Sequence, residues 1–333
     1  MKILVTGAAG FIGMHVVERL IEEGHQILAI DNINDYYSTK LKIDRLKHIG
    51  ITSKNNQYYS SQQANCSFKR VDLTEREETF ELFEEFQPEY VCHLAGQPGV
   101  RYSITNPMAY IDANIVAFSN VLEGARRVHV KHFVYASSSS VYGKNNKVPY
   151  SELDRTDQPA SLYAATKKAN ELIAYTYSSI YKLACSGLRF FTVYGPWGRP
   201  DMAPYLFLDA ILKGKEIKVF NHGDLSRDFT FIDDIVTGIL KIIPTPSCEE
   251  IPSKVFNIGH SSPVNLMDFI NTIEEVACKK AIKNYVDMQP GDVYCTFADT
   301  TSIEKEFRYK PSTNLKEGIK AFYDWFIAYH YEK

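Results

Sequence analysis

The sequence has few cysteines and no pattern that would use them together. Its six cysteines stand far apart, with no Cys-x-x-Cys pair and no tight cluster with histidine: Cys66, Cys92, Cys185, Cys248, Cys278 and Cys295. A zinc site needs such a cluster, and a disulfide framework is typical of much shorter secreted chains. We therefore expect reduced thiols, no metal ion and a core held by apolar packing.

Long apolar runs and an excess of one charge are also missing. No run approaches the roughly 20 apolar residues that span a bilayer, and no cleavable apolar segment precedes the first strand. We therefore expect a cytoplasmic protein without membrane contact. The 37 basic and 40 acidic residues give a formal charge of -3, and the basic residues are scattered. That distribution argues against a nucleic-acid partner but leaves small anionic ligands open.

Short apolar runs alternate with helical patterns along the first two thirds of the chain. The runs lie at Ile3–Val5, Ile27–Ile30, Tyr90–His93, His132–Tyr135 and Gly187–Phe190, and the helical patterns lie near 12–23, 75–86, 108–128 and 163–181. Strands that are apolar throughout are typical of a parallel sheet buried on both faces. The pattern predicts an α/β fold with a Rossmann-like, doubly wound parallel sheet.

A turn cluster at 195–201 separates this pattern from a smaller C-terminal, substrate-binding lobe. We predict a dinucleotide-binding domain over 1–190, rejoined by 229–258, in which Phe229–Ile243 forms a helix and Val255–Ile258 a strand. The lobe then comprises 191–228 and 259–333. The polar segment 32–65, with a short helix at 39–48, is an excursion whose function the pattern leaves open.

The first strand runs directly into a glycine-rich turn and a helix. Gly7, Gly10 and Gly13 frame this turn, which also contains Phe11 and Ile12. Glycines let the backbone approach a pyrophosphate, and the first amides of the helix stabilise its charge. Asp31 ends the second strand, where a carboxylate accepts from ribose hydroxyls and repels a 2′-phosphate. The combination predicts NAD rather than NADP.

Further cofactor contacts are expected where other strands end, because a dinucleotide lies across the carboxyl edge of such a sheet. The predicted contacts beyond the glycine-rich turn are Asn32, Asp72, Leu73, Leu94, Ala95, Gly96, Gln97 and Asn114.

Tyr163 and Lys167 stand four apart in a helical segment, so both side chains project from one face. A phenol of pKa about 10 acts as a base near neutral pH only when its anion is stabilised by about 4 kcal/mol. A neighbouring ammonium and a nicotinamide ring supply that stabilisation. In the serine run 137–140, which follows the strand at 132–135, Ser138 is the predicted catalytic hydroxyl.

Together these motifs resemble the extended short-chain dehydrogenase/reductase superfamily over almost the whole chain, and within it the UDP-glucuronate 4-epimerases. The segments that carry this closer resemblance are Asp31-Asn-Ile-Asn-Asp-Tyr-Tyr37, Gln97-Pro-Gly-Val-Arg-Tyr-Ser103, Gly198-Arg-Pro-Asp-Met-Ala203 and Arg227-Asp-Phe-Thr230.

The resemblance implies a tightly bound NAD that is regenerated in each turnover. Tyr163 takes the C4-hydroxyl proton of a UDP-sugar, the C4 hydride moves to NAD, and hydride returns to the other face of the 4-keto sugar. A 4-keto uronic acid is a β-keto acid that loses carbon dioxide readily, so its carboxylate must be restrained. Arg199 is the expected clamp. A salt bridge within its loop and a contact with the UDP phosphates are its alternative roles.

The remaining substrate contacts also follow from the resemblance. Hydroxyl contacts to the sugar are expected from Ser138, Ser139, Ser140 and Thr192. Arg227 is expected at the diphosphate, Asp292 at a ribose hydroxyl and Gln289 at a nucleotide-holding position. Arg101 has either a sugar contact or a structural role.

Other functions use the same fold. UDP-glucose 4-epimerases need no carboxylate clamp and usually carry Asn at the position of Thr192. UDP-glucuronate decarboxylases and 4,6-dehydratases generally carry an acid just after the catalytic hydroxyl, where Ser139 and Ser140 stand here. Non-catalytic NAD-binding relatives usually lose the tyrosine and lysine pair. The family also implies a homodimer in which the helices at 108–128 and 163–181 pair as a four-helix bundle.

Overall fold

The computed structural model describes residues 1–53, 59–288 and 293–332. Two compact units divide the chain. The first comprises residues 1–145, 154–190 and 236–256, and the second comprises 146–153, 191–235 and 257–333.

The chain forms fifteen strands within the described residues. They are β1 (Lys2–Thr6), β2 (Gln26–Asp31), β3 (Ile51–Ser53), β4 (Tyr59–Ser61), β5 (Cys66–Arg70), β6 (Tyr90–His93), β7 (His132–Ser138), β8 (Cys185–Phe190), β9 (Thr192–Tyr194), β10 (Glu216–Phe220), β11 (Ser226–Arg227), β12 (Phe229–Phe231), β13 (Ser253–Ile258), β14 (Val264–Asn265) and β15 (Ile282–Val286).

Twelve α-helices occur in the same residues. They are α1 (Phe11–Glu22), α2 (Thr39–His48), α3 (Arg76–Phe86), α4 (Tyr102–Thr105), α5 (Met108–Ile111), α6 (Ala117–Arg127), α7 (Leu162–Tyr181), α8 (Ala203–Lys213), α9 (Ile232–Ile242), α10 (Leu266–Val276), α11 (Thr301–Phe307) and α12 (Leu315–His330). A π-helical turn at Asp112–Val116 joins α5 to α6, and 3-10 turns lie at Ser139–Tyr142 and Asn221–Gly223.

The first unit is built on a seven-stranded sheet in the order β13-β8-β7-β6-β1-β2-β5. Strand β1 pairs in parallel with β2 on one side and β6 on the other, so that Leu4 lies opposite Leu28 and Val91. All three side chains are buried. The strand order reverses direction at β1, which confirms the doubly wound parallel sheet.

Two local predictions in this unit are confirmed with changes in detail. The helix expected over 108–128 is interrupted by the π-helical turn, which places Asn114 in a fully buried position. The strand expected over 132–135 continues to Ser138, because Ser137 and Ser138 still pair with Arg189 and Phe190 of β8. Half of the serine run is therefore sheet, and only Ser139 and Ser140 belong to the turn that follows.

Among its described residues, the second unit contains three short strand pairs. Strand β12 pairs in parallel with β9, β10 in parallel with β15, and β11 antiparallel with β14. The buried Asp228 ties this unit together, since its carboxylate accepts hydrogen bonds from the amides of His260, Ser261 and Ala298 at 2.7, 3.0 and 3.0 Å. Asp228 thereby holds the loops at 260 and 298 next to its chain neighbour Arg227.

The boundaries between the units differ from the predicted ones at three places, the smallest being that residues 257–258 belong to the second unit. Residues 146–153 belong to the second unit, where the Tyr150 amide donates to the Phe297 carbonyl at 2.7 Å. Residues 229–235 also belong there, because Phe229–Phe231 is a strand paired with β9. The helix predicted to start at Phe229 therefore starts at Ile232.

The described residues contain no helix that is both long and apolar enough to cross a membrane.

Candidate dinucleotide and catalytic site

The glycine-rich turn after β1 is shaped by close backbone approach. A Cβ added to Gly7 would lie 2.7 Å from the Ala95 amide nitrogen, and one added to Gly13 would lie 2.0 Å from the Gly7 carbonyl oxygen. Gly7 also has a φ of +73°, which favours glycine. Gly10 caps α1 without a side chain that could accept from the first turn. The amides of that turn are the donors that a pyrophosphate binds.

Asp31 lies beside this turn at the end of β2. One carboxylate oxygen accepts from the Ala9 amide at 3.1 Å, and the other accepts from the Ile33 amide at 2.7 Å. A carboxylate offers about four acceptor positions, so these two bonds leave capacity for ribose hydroxyls. The structure brings Asp31 and the glycine-rich turn together as predicted.

The loop after β6 is bound to the π-helical turn. Asn114 accepts from the Gln97 amide at 2.8 Å and donates to the Gln97 carbonyl at 3.1 Å. Its side-chain nitrogen also donates to the Thr166 hydroxyl of α7 at 3.0 Å. A Cβ on Gly96 would lie 2.8 Å from the Asn114 side-chain oxygen. Predicted cofactor residues 96, 97 and 114 thus form one cluster against α7.

Lys167 lies on α7 within reach of the same cluster. Its ammonium donates to the Ala136 carbonyl of β7 at 2.9 Å, and a Cβ on Gly96 would lie 3.3 Å from its Nζ. Burial lowers the pKa of Lys167 to about 8. Tyr163 is one turn earlier on α7, and its ring meets the ring of Tyr110 edge-on with centroids 6.0 Å apart. The helix therefore presents the phenol and the ammonium on one face.

Ser138 ends β7 two residues beyond the carbonyl that holds Lys167. Its hydroxyl oxygen accepts from the Ser140 amide at 3.2 Å and lies 2.9 Å from the Ser140 hydroxyl. Ser139 and Ser140 are partly exposed in the following turn. The Ser138 and Ser140 hydroxyls are thus adjacent at the carboxyl edge of the sheet, where they could bond to the oxygen of a reacting group.

The other predicted cofactor residues make local contacts in the loops after the strands or lie at the start of α1. Asn32 donates to the Asp72 carboxylate at 3.2 Å. Burial opposes ionisation of Asp72, but hydrogen bonds from Thr74 and Asn32 outweigh it and lower its pKa. The Leu73 carbonyl accepts from Asn120 at 2.9 Å. The remaining three are buried Phe11, partly exposed Ile12 and Leu94, whose amide donates to the Thr6 carbonyl.

Among the described residues, the substrate contacts predicted beyond Phe190 are Thr192, Arg199 and Arg227, and all three belong to the second unit. Thr192 lies on β9, and its amide donates to the Asp228 carbonyl at 3.1 Å. Arg227 donates to the carbonyls of Ser226 and Tyr294 at 2.9 and 3.2 Å. Gln289 and Asp292 lie outside the described residues.

Arg199 forms a two-point salt bridge with Asp201 inside its own loop, with Nε 3.1 Å from one carboxylate oxygen. A salt bridge within this loop is one of the two alternatives to a carboxylate clamp that the sequence left open for Arg199. Arg101, in the first unit, is exposed at the start of the short helix α4.

Several supporting residues were missed. Arg189 makes a two-point ion pair with Glu171 of α7 at 2.8 and 2.9 Å, and Ser137 donates to the same carboxylate at 2.8 Å. Asn170 donates to the main-chain carbonyl of Asn114. The one available signal was spacing, because Glu171 follows Lys167 by four residues and shares its helix face. Nothing in the sequence marked its partner on β8.

The residues of the first unit fit a dinucleotide. A cradle that a Cβ would fill, amides at a helix start and a carboxylate at the end of the next strand are the parts that such a ligand requires. Among the described residues, no group of three histidine, cysteine, aspartate or glutamate side chains is arranged to hold a metal ion. A doubly wound sheet with this turn and a Tyr-x-x-x-Lys helix defines an extended short-chain dehydrogenase/reductase.

Comparison with known proteins narrows this class. The model of the NAD dependent epimerase/dehydratase family matches residues 3–259, and the chain belongs to that family. A probable UDP-glucuronate 4-epimerase of Rhizobium meliloti is 43% identical, with 98% of this chain and 97% of that protein covered. UDP-glucuronate 4-epimerase 2 of Arabidopsis thaliana is 45% identical, with 99% and 76% covered.

A solved structure is similar over the whole chain. The crystal structure of UDP-glucuronic acid 4-epimerase from Bacillus cereus, in complex with UDP-glucuronic acid and NAD, matches with a TM-score of 0.89. The two sequences are 31% identical, and the match covers 99% of this chain and 100% of that one.

The buried ammonium yields a prediction about stability. The displacement of the Lys167 pKa from 10.5 to about 8 corresponds to about 3 kcal/mol that the charged form costs the folded state. Lys167→Met removes this cost and one hydrogen bond from a charged group, so we expect a net gain of up to about 1.5 kcal/mol in the free energy of unfolding at pH 7.

Urea denaturation at several pH values checks this. The folded-state pKa lies below the unfolded-state value, so the wild-type protein gains stability from this group as pH rises from about 8 to 10.5. The difference between variant and wild type should be largest below pH 8 and shrink toward pH 10.5. Exposed Lys69→Met, which breaks a surface pair with Glu85, is the control. A pH-independent difference would contradict the assignment.

Proposed function

We propose that this chain catalyses the NAD-dependent C4 epimerisation of a UDP-uronic acid, interconverting UDP-glucuronate and UDP-galacturonate. Full-length similarity to proteins named UDP-glucuronate 4-epimerase, together with an intact Tyr163 and Lys167 pair, supports this function. The chain also keeps serines at 139 and 140, where relatives that act on C5 generally carry an acid. That difference favours epimerisation over decarboxylation and dehydration.

Tyr163 is the proposed proton carrier. Its phenolate takes the proton of the C4 hydroxyl and returns it to the same oxygen after the sugar has rotated. Lys167 supplies the positive charge that stabilises the phenolate, and its carbonyl contact with Ala136 holds the ammonium in place. NAD, when bound, supplies a reversible acceptor for the C4 hydride, so the cycle needs no second substrate.

The serine turn is proposed to hold the reacting oxygen. Ser138 lies at the end of β7, and Ser140 donates to it through its amide. A hydroxyl fixed in this way can donate to a sugar oxygen without a further loss of side-chain conformational entropy. Ser139 and Ser140 are proposed to contact the sugar carboxylate, with Thr192 adding a further hydroxyl.

Arg199 is proposed to restrain the uronate carboxylate. Its existing two-point contact with Asp201 shows the fork geometry that a carboxylate needs. The substrate carboxylate then competes with Asp201 for the same guanidinium. Restraint keeps the C5–C6 bond out of alignment with the C4 carbonyl and so prevents loss of carbon dioxide. Arg227, Gln289 and Asp292 are proposed to hold the nucleotide, and Arg101 either contacts the sugar or supports its loop.

Product analysis tests the function. Purified protein is incubated separately with UDP-glucuronate and UDP-glucose without added NAD, and C4 epimers and UDP-pentose are separated. We expect UDP-galacturonate from the first incubation and little turnover in the second. Tyr163→Phe should lower the rate by about 10²–10⁴ because it removes the acid and base group. Preferred turnover of UDP-glucose, or a UDP-pentose as main product, would overturn the proposal.

Arg199 is tested in the same assay with a pair of variants. Arg199→Ala should lower kcat/KM for UDP-glucuronate by about 10- to 10²-fold, since a bonded charge pair contributes about 1.5–3 kcal/mol. Asp201→Asn removes the competing carboxylate and should lower KM instead. NAD content should stay unchanged in both. Equal losses of activity in the two variants would show that the loop salt bridge, and not a substrate contact, is what Arg199 provides.

We also propose a cytoplasmic homodimer. Exposed apolar side chains recur along the neighbouring segments α5, the π-helical turn and α7, where Met108, Val116, Leu172 and Tyr175 are 37–60% exposed. Such a face is typical of an interface with a second copy. Reducing conditions suit the six unpaired cysteines, three of which are buried.

Light scattering at micromolar concentration tests the dimer. The wild-type protein should have twice the protomer mass, and Leu172→Glu should shift it to the protomer mass, because a charge buried in an interface lacks compensation. Leu153, which is 95% exposed in the second unit, supplies the matched control Leu153→Glu. A wild-type protomer mass contradicts the proposal.

A further inference from the structure

Apart from the cofactor contact expected at Asn32, the segment 32–48, which follows β2, has no role in the function proposed above. It leaves β2 at Asp31, forms a loop over 32–38 and then forms α2. In the sheet, β1 lies between β2 and β6. A segment that starts at β2 and contacts the loop after β6 must therefore cross the end of β1, where the glycine-rich turn lies.

Arg45 joins this segment to the glycine-rich turn. Its side chain is fully buried, and Nη1 donates to the Ala9 carbonyl at 3.1 Å and to the Tyr37 hydroxyl at 2.6 Å. Ala9 lies between two of the cradle glycines, and its amide donates to Asp31. Because an unpaired buried guanidinium is costly, these contacts fix the main chain of the turn from outside the sheet.

The start of the segment is held in a strained conformation. Ile33 is a buried, β-branched residue with a φ of +54°, in the left-handed region that such residues rarely adopt. It persists because its surroundings hold it, and its amide donates to Asp31 at 2.7 Å. Lys42 donates to the side chain of Asn34 at 2.8 Å, which holds the next turn of the loop.

Tyr36 carries the segment to the loop that follows β6. Its ring lies 5.0 Å from the ring of Tyr102, and a Cβ on Gly99 would lie 2.9 Å from its hydroxyl oxygen. Tyr110 donates to the Pro98 carbonyl of the same loop at 2.8 Å. The segment therefore contacts both loops between which the proposed dinucleotide extends.

We propose that Arg45 and Tyr36 are positioning residues that retain the dinucleotide between turnovers, an inference that rests on the proposed function. A cofactor regenerated in each cycle has no need to leave, so slow dissociation carries no catalytic penalty. Arg45 keeps the amides of the glycine-rich turn aligned on the pyrophosphate. Tyr36 closes the segment over the end of β1, and the dinucleotide leaves only when this contact opens.

Measurement of bound NAD tests the inference without UDP-sugar turnover. Wild type, Arg45→Met and Tyr36→Ala are loaded with NAD, and the dissociation rate is followed after rapid removal of free NAD. Both variants should release NAD about tenfold faster or more, the effect expected from losing one hydrogen bond to a charged group or one packed ring. Lys47→Met, an exposed position on α2, and Tyr36→Phe, which keeps the ring, should release it within about twofold of wild type.

Activity then separates positioning from a general structural role. At saturating added NAD, kcat and the KM for UDP-glucuronate of Arg45→Met and Tyr36→Ala should return to within about twofold of wild type. Tyr36 is partly exposed, so its variant decides the matter if Arg45→Met does not fold. Wild-type release rates in folded variants, or a kcat that added NAD does not restore, would overturn the inference. A wild type that retains NAD without epimerising UDP-glucuronate contradicts only the proposed function.

Discussion

Parallel pairing of β1 with β2 and β6 is the constraint on which the candidate site depends. Three adjacent parallel strands end within about 10 Å of each other, so the loops that follow them must share one small volume. That crowding leaves no room for a Cβ at Gly7, which lies against Ala95. It also brings Asp31 to the amide of Ala9. The need for glycine at position 7 and the position of the Asp31 carboxylate beside the turn therefore both result from the parallel packing of these strands.

Helix α7 carries two buried ionisable groups, one with an oppositely charged partner and one with only a neutral partner. Glu171 has a guanidinium and a hydroxyl as partners, and although burial opposes its ionisation, these contacts with Arg189 and Ser137 lower its pKa. Lys167 donates to a neutral carbonyl, and burial lowers its pKa toward the neutral form. The fully paired charge fixes the helix against the sheet. The incompletely compensated charge is the one that remains able to stabilise an anion.

The sequence predicted those parts of the site that local patterns encode. The glycine-rich turn lies within eight residues of the sequence, at the start of one helix. The pair of Tyr163 and Lys167 is equally local, because both residues lie on one helix. It did not predict the contact of Arg45 with Ala9 or of Glu171 with Arg189, because these join residues 36 and 18 positions apart without any periodicity. Unit boundaries shifted for the same reason, since the pairing of β9 with β12 depends on a strand too short to show a pattern.

The π-helical turn at Asp112–Val116 also constrains the length of the chain. Each residue of an α-helix advances the face by about 100°, and a π turn accommodates one residue more than an α turn does. Tyr110 before the turn contacts the loop at Pro98, while Phe118 after it packs into the core beside Phe133. Deletion of a single residue between them would restore a regular helix and rotate one of these side chains away from its partner. A single-residue insertion or deletion between Tyr110 and Phe118 is therefore incompatible with keeping both contacts.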